Sequence, residues 1–314
     1  SRSNSMLKYL RSLIESYLFI LIASLGIGIF LPQIQILSAW NTLFLQIIFF
    51  LSSLKLDIDQ FAHHLKDWKT ILVTAGFMLI VLPVLVRILL FPFGDLFAGP
   101  ALALFLLAAM PAGMTAPLLV EIVGGKQAMA LVITITTSLL APFSIPLITL
   151  LSYRTSVHVD AFGMFQKLAL VIFIPFIIAM LVKRLFPKKI AKIASHTKPI
   201  SIFLLGLLIA TAIAPYAERL QISFVSHPLT VLLLIALLFI FFAILHILGY
   251  NVIWWKSISD RQTITVCLTY MNFTLAIYLA SRFFPDPTVV LTLILSIIPW
   301  AVMLPLWKKI SAAK

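Results

Sequence analysis

Apolar runs of roughly 20 residues recur along the whole of this 314-residue chain, and nothing else restricts its fold as strongly. A helix needs about that length to cross a hydrocarbon layer ~30 Å thick, since each residue advances it by only ~1.5 Å. Strands of a membrane barrel would alternate apolar and polar residues instead. With 62% hydrophobic and 11% charged residues, the chain has too few charges to build a water-facing surface. It reads as an all-α integral membrane protein surrounded by lipid bilayer. The runs give ten expected spans: 15–34, 38–56, 68–92, 99–122, 127–151, 161–185, 198–217, 228–250, 262–283 and 287–307. Residues 1–14 read as an N-terminal tail, with 1–5 expected to be a vector remnant ahead of Met6, and 308–314 as a C-terminal tail.

A net charge of +13 would suit nucleic acid, but the basic residues alternate between loops as the positive-inside rule describes. A cytoplasmic N-terminus gathers 18 of the 23 Lys and Arg on the inside, so both termini are expected in the cytoplasm and no nucleic-acid partner is implied. The expected location is the inner (plasma) membrane of a bacterium. The most basic loop, KRLFPKKIAKIASHTK (183–198), fixes topology or recruits anionic lipid or a partner. Trp254 and Trp255 beside Lys256 fit an interfacial aromatic anchor.

The fourth span, AAMPAGMTAPLLVEIVGG (108–125), carries Pro111, Gly113, Pro117 and a Gly124-Gly125 pair. In hydrocarbon an interrupted helix leaves N–H and C=O groups unpaired at several kcal/mol each, so a break is tolerated only beside protein or a wet cavity. Thr115, Pro117 and Pro142 correspond, 157 residues later, to Asn272, Thr274 and Pro299. Five spans per half is an odd number, so the halves enter the membrane from opposite sides: residues 15–151 as a first inverted repeat, 152–160 as an external linker, and 161–307 as a second. Thr115 and Asn272 are expected to cap half-helices whose N-termini offer amides to an anionic group near the midplane. Pro111 and Pro117 kinking a packed helix is the competing reading.

No acidic residue falls near the centre of a span, and Glu121, the nearest, is expected to pair with Lys126. Arg87 and Lys167 lie toward the outer ends of their spans and are expected to snorkel to the interface. His246 is expected to be buried and bonded to nearby backbone. His63 and His64, beside Asp57, Asp59 and Asp67, read as a solvated turn rather than a metal site. Met78, Met110, Met114 and Met271 would pack or line an adaptable apolar pocket. The single cysteine, Cys267, excludes an internal disulfide, and no motif for a cofactor, a metal or a familiar enzyme occurs.

SLKLDIDQFAHHLKDWKTILV with LPVLVRILL, PAGMTAPLL and ITVCLTYMNFTLA make the chain resemble the bile acid:sodium symporter family, within the superfamily that includes arsenite carriers. That resemblance covers nearly the whole chain. It implies ten helices in two inverted five-helix repeats, with helices 4 and 9 broken and crossing. Helices 1, 2, 6 and 7 would form a panel domain and helices 3–5 and 8–10 a core domain. It also implies transport of amphipathic organic anions, with sodium bound behind the crossing. Carried over position by position, however, the family's sodium ligands fall on Met78, Ala116, Pro117, Ala130, Thr134, Cys267 and Met271. Only Thr134, with nearby Asn272, keeps a side-chain oxygen, whereas sodium needs about five or six oxygen donors.

The chain is therefore expected to be a sodium-independent secondary transporter of a small organic anion, bile-acid-like or a small carboxylate. The alternative is a ligand-binding receptor or uncoupled facilitator that retains the fold. The expected substrate contacts are Met114, Thr115, Ala116, Pro117, Thr134, Thr269, Asn272, Phe273 and Thr274. Neither the oligomeric state nor the exact substrate follows from these residues.

Overall fold

A computed structural model describes residues 19–20, 22–55, 67–93, 97–153, 159–194, 197–284 and 286–312. Among the described residues every regular element is helical, and sheet-type pairing is confined to Ala112 opposite Met271. Helix α1 covers 22–30. A 3-10 stretch, Pro32–Trp40, opens with proline, whose missing N–H is harmless at a helix start, and leads into α2 (Asn41–Ser53). Helix α3 (Trp68–Phe93) contains a π turn at Phe77–Val81. Pro83 cannot donate to the carbonyl four residues back, and the turn absorbs the mismatch: the Leu82 N–H bonds the Phe77 carbonyl, five residues back.

The fourth apolar stretch is two helices, α4 (Ala98–Ala109) and α5 (Ala116–Ile122). Next come α6 (Gln127–Tyr153), α7 (Ala161–Leu185), α8 (Pro187–Ala194) and α9 (Lys198–Ile213). A 3-10 turn, Ala214–Tyr216, joins α9 to α10 (Ala217–Ser226), and α11 (Pro228–Val252) follows. The ninth stretch is again divided, into α12 (Ile258–Thr269) and α13 (Phe273–Phe283). Helices α14 (Pro287–Leu295) and α15 (Ile297–Ala312) complete the chain.

Among the described residues, seven helical stretches are long and apolar enough to cross a membrane, including α6, α7 and α11. Their outward faces are apolar: on α11, Leu229, Leu232, Leu233, Ile240 and Ile247 are each more than half exposed. That surface is stable against lipid and not against water. The divided helices lie at the opposite extreme. Residues Ala101–Ala109 of α4 are buried all round, as are Leu275–Ala280 of α13, so both breaks sit in the protein interior. Buried hydroxyls on the long helices are mostly satisfied within their own helix. Thr74, Thr149 and Thr292 each donate to the carbonyl one turn back.

Three expectations shift. The last span bends at Ser296, where Pro299 cannot donate to the Leu295 carbonyl, and it continues helically to Ala312 instead of ending at 307. Helix α10 occupies residues expected to be loop. Arg87 does not simply reach for the interface: its Nε donates to the Ser152 carbonyl at 3.0 Å, and its guanidinium lies 4.6 Å from the Tyr153 ring. Residues 15–18 and 21 of the expected first span, the His63-His64 segment and the centre of the 152–160 linker lie outside the described residues.

Candidate functional site at a crossing of two interrupted helices

The two interruptions meet. Between α4 and α5 the chain is extended for a few residues, and so is the chain between α12 and α13. These stretches pair antiparallel: the Gly113 N–H donates to the Tyr270 carbonyl at 2.9 Å, and the Asn272 N–H donates to the Pro111 carbonyl at 2.9 Å. The bonds flank Ala112 and Met271 and supply partners that each broken helix has lost. Glycine is required at 113, because a β-carbon there would lie 2.6 Å from the Tyr270 carbonyl oxygen. A third bond fixes the pairing from below: the Ala112 N–H donates to Thr137 Oγ1 on α6 at 3.2 Å, while that hydroxyl donates to the Ile133 carbonyl at 2.7 Å.

The two restarts differ. Asn272 is the cap of α13, its side-chain oxygen accepting from the Leu275 N–H at 3.1 Å. Thr115 occupies the equivalent place before α5, but its side chain makes no capping bond. Pro117 sits in the first turn as expected, yet the amides of α5 are already spent. Ala116 donates to the Gly113 carbonyl, and Leu118 and Leu119 both donate to the Thr115 carbonyl. Within the two breaks, the N–H donors that find no hydrogen-bond partner among the described residues are those of Met114, Thr115, Met271 and Thr274. Met271 is buried, whereas Met114, Thr115 and Thr274 are half-buried. The antiparallel pairing puts Met114 and Thr115 at one end of the bridge and Thr274 at the other. At its far end α5 closes on Gly124, which takes a left-handed φ of 75° that favours a residue without a β-carbon, and the Gly125 N–H bonds the Val120 carbonyl.

Around the crossing the buried side chains are largely apolar and sulfur-rich. Ala116 and Pro117 are buried, Met271 is 2% exposed, and Phe273 is 8% exposed. Met78 is buried in the π turn of α3, which packs against α6 and α4. Cys267 Sγ lies 4.0 Å from the Ala130 carbonyl, joining α12 to α6. Thr134 and Ser138 on α6 and Thr269 at the end of α12 are at most 3% exposed, and their hydroxyls make no hydrogen bond. Buried hydroxyls are seldom left so, and an unpaired one costs ~1–3 kcal/mol. Ser144 and Tyr153 on the same helix also carry unpaired hydroxyls.

This donor set does not fit a sodium ion. At the seven positions to which the resemblance carries the sodium ligands stand two thioethers, a thiol, two methyl side chains and a proline ring, and Thr134 alone supplies a side-chain oxygen. Every acidic residue described, namely Asp67, Glu121, Asp160, Glu218, Asp260 and Asp286, lies at a helix end or in a loop, far from the crossing along its helix. Lys126 pairs not with Glu121 but with Asp260, at 2.7 Å, because the Gly124-Gly125 turn brings it to the start of α12.

Four side chains brace the crossing: His246, buried and bonded to its own backbone as expected, and Tyr270, Trp300 and Trp307, which the sequence motifs do not single out. Tyr270, in the second break, shares a 3.2 Å hydrogen bond with His246 Nε2. His246 Nδ1 lies 2.7 Å from the Phe242 carbonyl, which fixes the proton on Nδ1 and leaves Nε2 to accept the phenol proton. Trp300 packs edge-on against both Tyr270 and Phe273, and Trp307 packs against His246 while donating to Gln262 Oε1 at 2.7 Å.

The profile of the SBF-like CPA transporter family matches residues 15–304. The chain is 27% identical to Bacillus subtilis YbaS over 259 residues, covering 77% of this chain and 79% of that protein. It is 29% identical over 218 residues to the Oryza sativa subsp. indica protein named "Probable sodium/metabolite cotransporter BASS5, chloroplastic", covering 62% of this chain and 52% of the relative. It is also 29% identical over 166 residues to the sodium-dependent transporter YocS of Bacillus subtilis, with 52% and 50% covered. The chain thus spans about half the length of these last two relatives.

Proposed function

Since the chain belongs to the SBF-like CPA transporter family, whose members are membrane transporters and not enzymes, we propose that it is a sodium-independent secondary carrier of an amphipathic organic anion. The observation that carries this reading is the paired break itself. It presents the unspent N–H groups of Met114, Thr115 and Thr274, with the Thr115 and Thr274 hydroxyls, and no carboxylate. A ligand that only accepts hydrogen bonds, such as a carboxylate or sulfonate, suits such donors. Met114, Met271 and Phe273 would take its apolar body. Thr134 and Thr269 contribute hydroxyls behind the crossing.

In this reading ten spans form two inverted halves, both termini face the cytoplasm of a bacterial inner membrane, and the panel and core domains move against each other. The second half-helices begin at Ala116 and Phe273, 157 residues apart, the spacing of the sequence repeat. Donors at opposite ends of the bridge suit a site reached alternately from each side. Sodium independence rests on the missing oxygen cage.

Counterflow of a labelled bile salt and of a labelled monocarboxylate in proteoliposomes tests both parts. Exchange that is undiminished when choline replaces sodium is expected. A sodium requirement refutes the uncoupled mechanism, and binding of either probe without exchange would make the protein a receptor.

A further inference from the structure

Between Asp160 and Glu218 the chain contains no acidic residue, yet it carries seven Lys and Arg. Most of them cluster around α8. Ile190 is 7% exposed and packs with Leu51, Leu54 and Ala179, which lays α8 across the ends of α2 and α7. Arg184, Lys188 and Lys189 project outward from this helix and the turn before it. Beside them Leu185, Phe186 and Ile193 are 68%, 52% and 52% exposed. Two of the basic residues near α12 behave differently. There Lys126 pairs with Asp260 at 2.7 Å and Lys256 with Asp67 at 2.8 Å, so their charge is neutralised within the protein.

We infer that α8 and the Leu185–Phe186 turn form a docking surface for the headgroups of anionic phospholipids, which anchors the α2–α7–α9 bundle to one leaflet. A topological signal requires only that positive charge remain on one side. It requires neither a folded helix with one face packed on the protein nor large apolar side chains exposed beside the charges. That combination is what an interfacial helix needs: apolar groups enter the acyl boundary while the ammonium and guanidinium groups meet phosphates. A soluble acidic partner would leave Leu185 and Phe186 uncovered. The inference does not depend on what the crossing transports.

The test uses the full chain, delipidated in detergent and offered phosphatidylglycerol, phosphatidylcholine or soluble glycerol phosphate, with bound lipid read by native mass spectrometry. Phosphatidylglycerol retention should exceed phosphatidylcholine retention about tenfold, the scale expected when a few cations face an anionic surface. Retention should fall to near parity in Arg184→Gln/Lys188→Gln/Lys189→Gln and persist in Lys308→Gln/Lys309→Gln, which removes charge at the end of α15. Equal retention of the two lipids by the unaltered chain overturns the proposal, as does a triple variant that keeps the preference. Competition by glycerol phosphate as effective as by lipid would assign a soluble anion site instead and also overturns it. If the triple variant fails to fold, loss of the preference in the unaltered chain at high salt supports the proposal, and salt-resistant retention refutes it.

Discussion

Replacing Gly113 with alanine tests the crossing at its closest approach. An added β-carbon would lie 2.6 Å from the Tyr270 carbonyl oxygen, whereas ordinary contact begins near 3.4 Å, so the strands must part by roughly 0.8 Å. The Gly113–Tyr270 hydrogen bond, now 2.9 Å, would stretch beyond bonding distance, and two buried backbone groups would lose their partners. Losing the bond and leaving its groups unpaired, or bearing the overpacking, gives about 2–4 kcal/mol. Cys267 is a built-in reporter: it is the chain's single cysteine, fully buried, three residues before Tyr270. If its labelling by a maleimide needs local opening, that free energy corresponds to a rate increase of roughly 30- to 1,000-fold. Gly76→Ala is the control, because a β-carbon there has nothing within 4 Å. Alanine in place of a mid-helix glycine should stabilise α3 by up to ~1 kcal/mol and leave Cys267 protected. Equal labelling of the unaltered chain and Gly113→Ala would refute the close approach and the pairing built on it.

Tyr270→Phe removes the 3.2 Å bond to His246 and leaves Nε2 without a donor, so about 1–3 kcal/mol of stability should be lost in equilibrium unfolding. His246→Phe on that background should then cost less than on the unaltered chain, and strict additivity would show that the two side chains do not interact. At the end of α3, partial burial works to raise the Asp67 pKa, but the Lys256 and Thr70 hydrogen bonds and the Lys256 charge together hold it below its ordinary value. A carboxylate depressed in the folded state stabilises above its unfolded pKa of ~4, and the contribution is lost as pH falls through the folded value. Asp67→Asn should therefore melt lower at pH 7 and lose less on acidification to pH 3. Because the carboxylate is half exposed the difference is small, and parallel melting curves against pH would show that the pair contributes nothing.

Long helices were legible wherever their flanks were abrupt. Asp160 before Ala161 and His227-Pro228 fix the starts of α7 and α11 to the residue, because the side chain of Asp160 caps the next amides and Pro228 suits a first turn. Both breaks were legible too, from Pro111, Gly113, Pro117 and Asn272, since few residues interrupt a helix in lipid without reason. The spent amides were not. Whether Ala116 and Leu118 remain free depends on turns closed by Gly113 and Thr115, and the bridge joins residues far apart in sequence, which no local pattern encodes. Thr137 escaped notice because a threonine on an apolar helix usually bonds its own backbone. It does so here and accepts from Ala112 as well. The π turn at Met78 and the short helices α8 and α10 left no periodic trace, being too brief for an amphipathic pattern to stand out.

The chemistry at the crossing separates two roles that the family resemblance joins. At the positions to which the family resemblance carries a cage of side-chain oxygens, this chain holds methyl, thiol and thioether groups. A chain with no further use for the cage would gain stability by closing both breaks into continuous helices, since each interruption forfeits several backbone hydrogen bonds. Instead the interruptions are held open by reciprocal backbone bonds, a glycine at the one place where a β-carbon would collide, an asparagine cap, and a tyrosine fixed between His246 and Trp300. All of those devices preserve the backbone geometry that leaves the N–H groups of Met114, Thr115 and Thr274 unspent. The devices at the crossing thus serve the backbone geometry itself, which is the feature that recognition through main-chain donors needs.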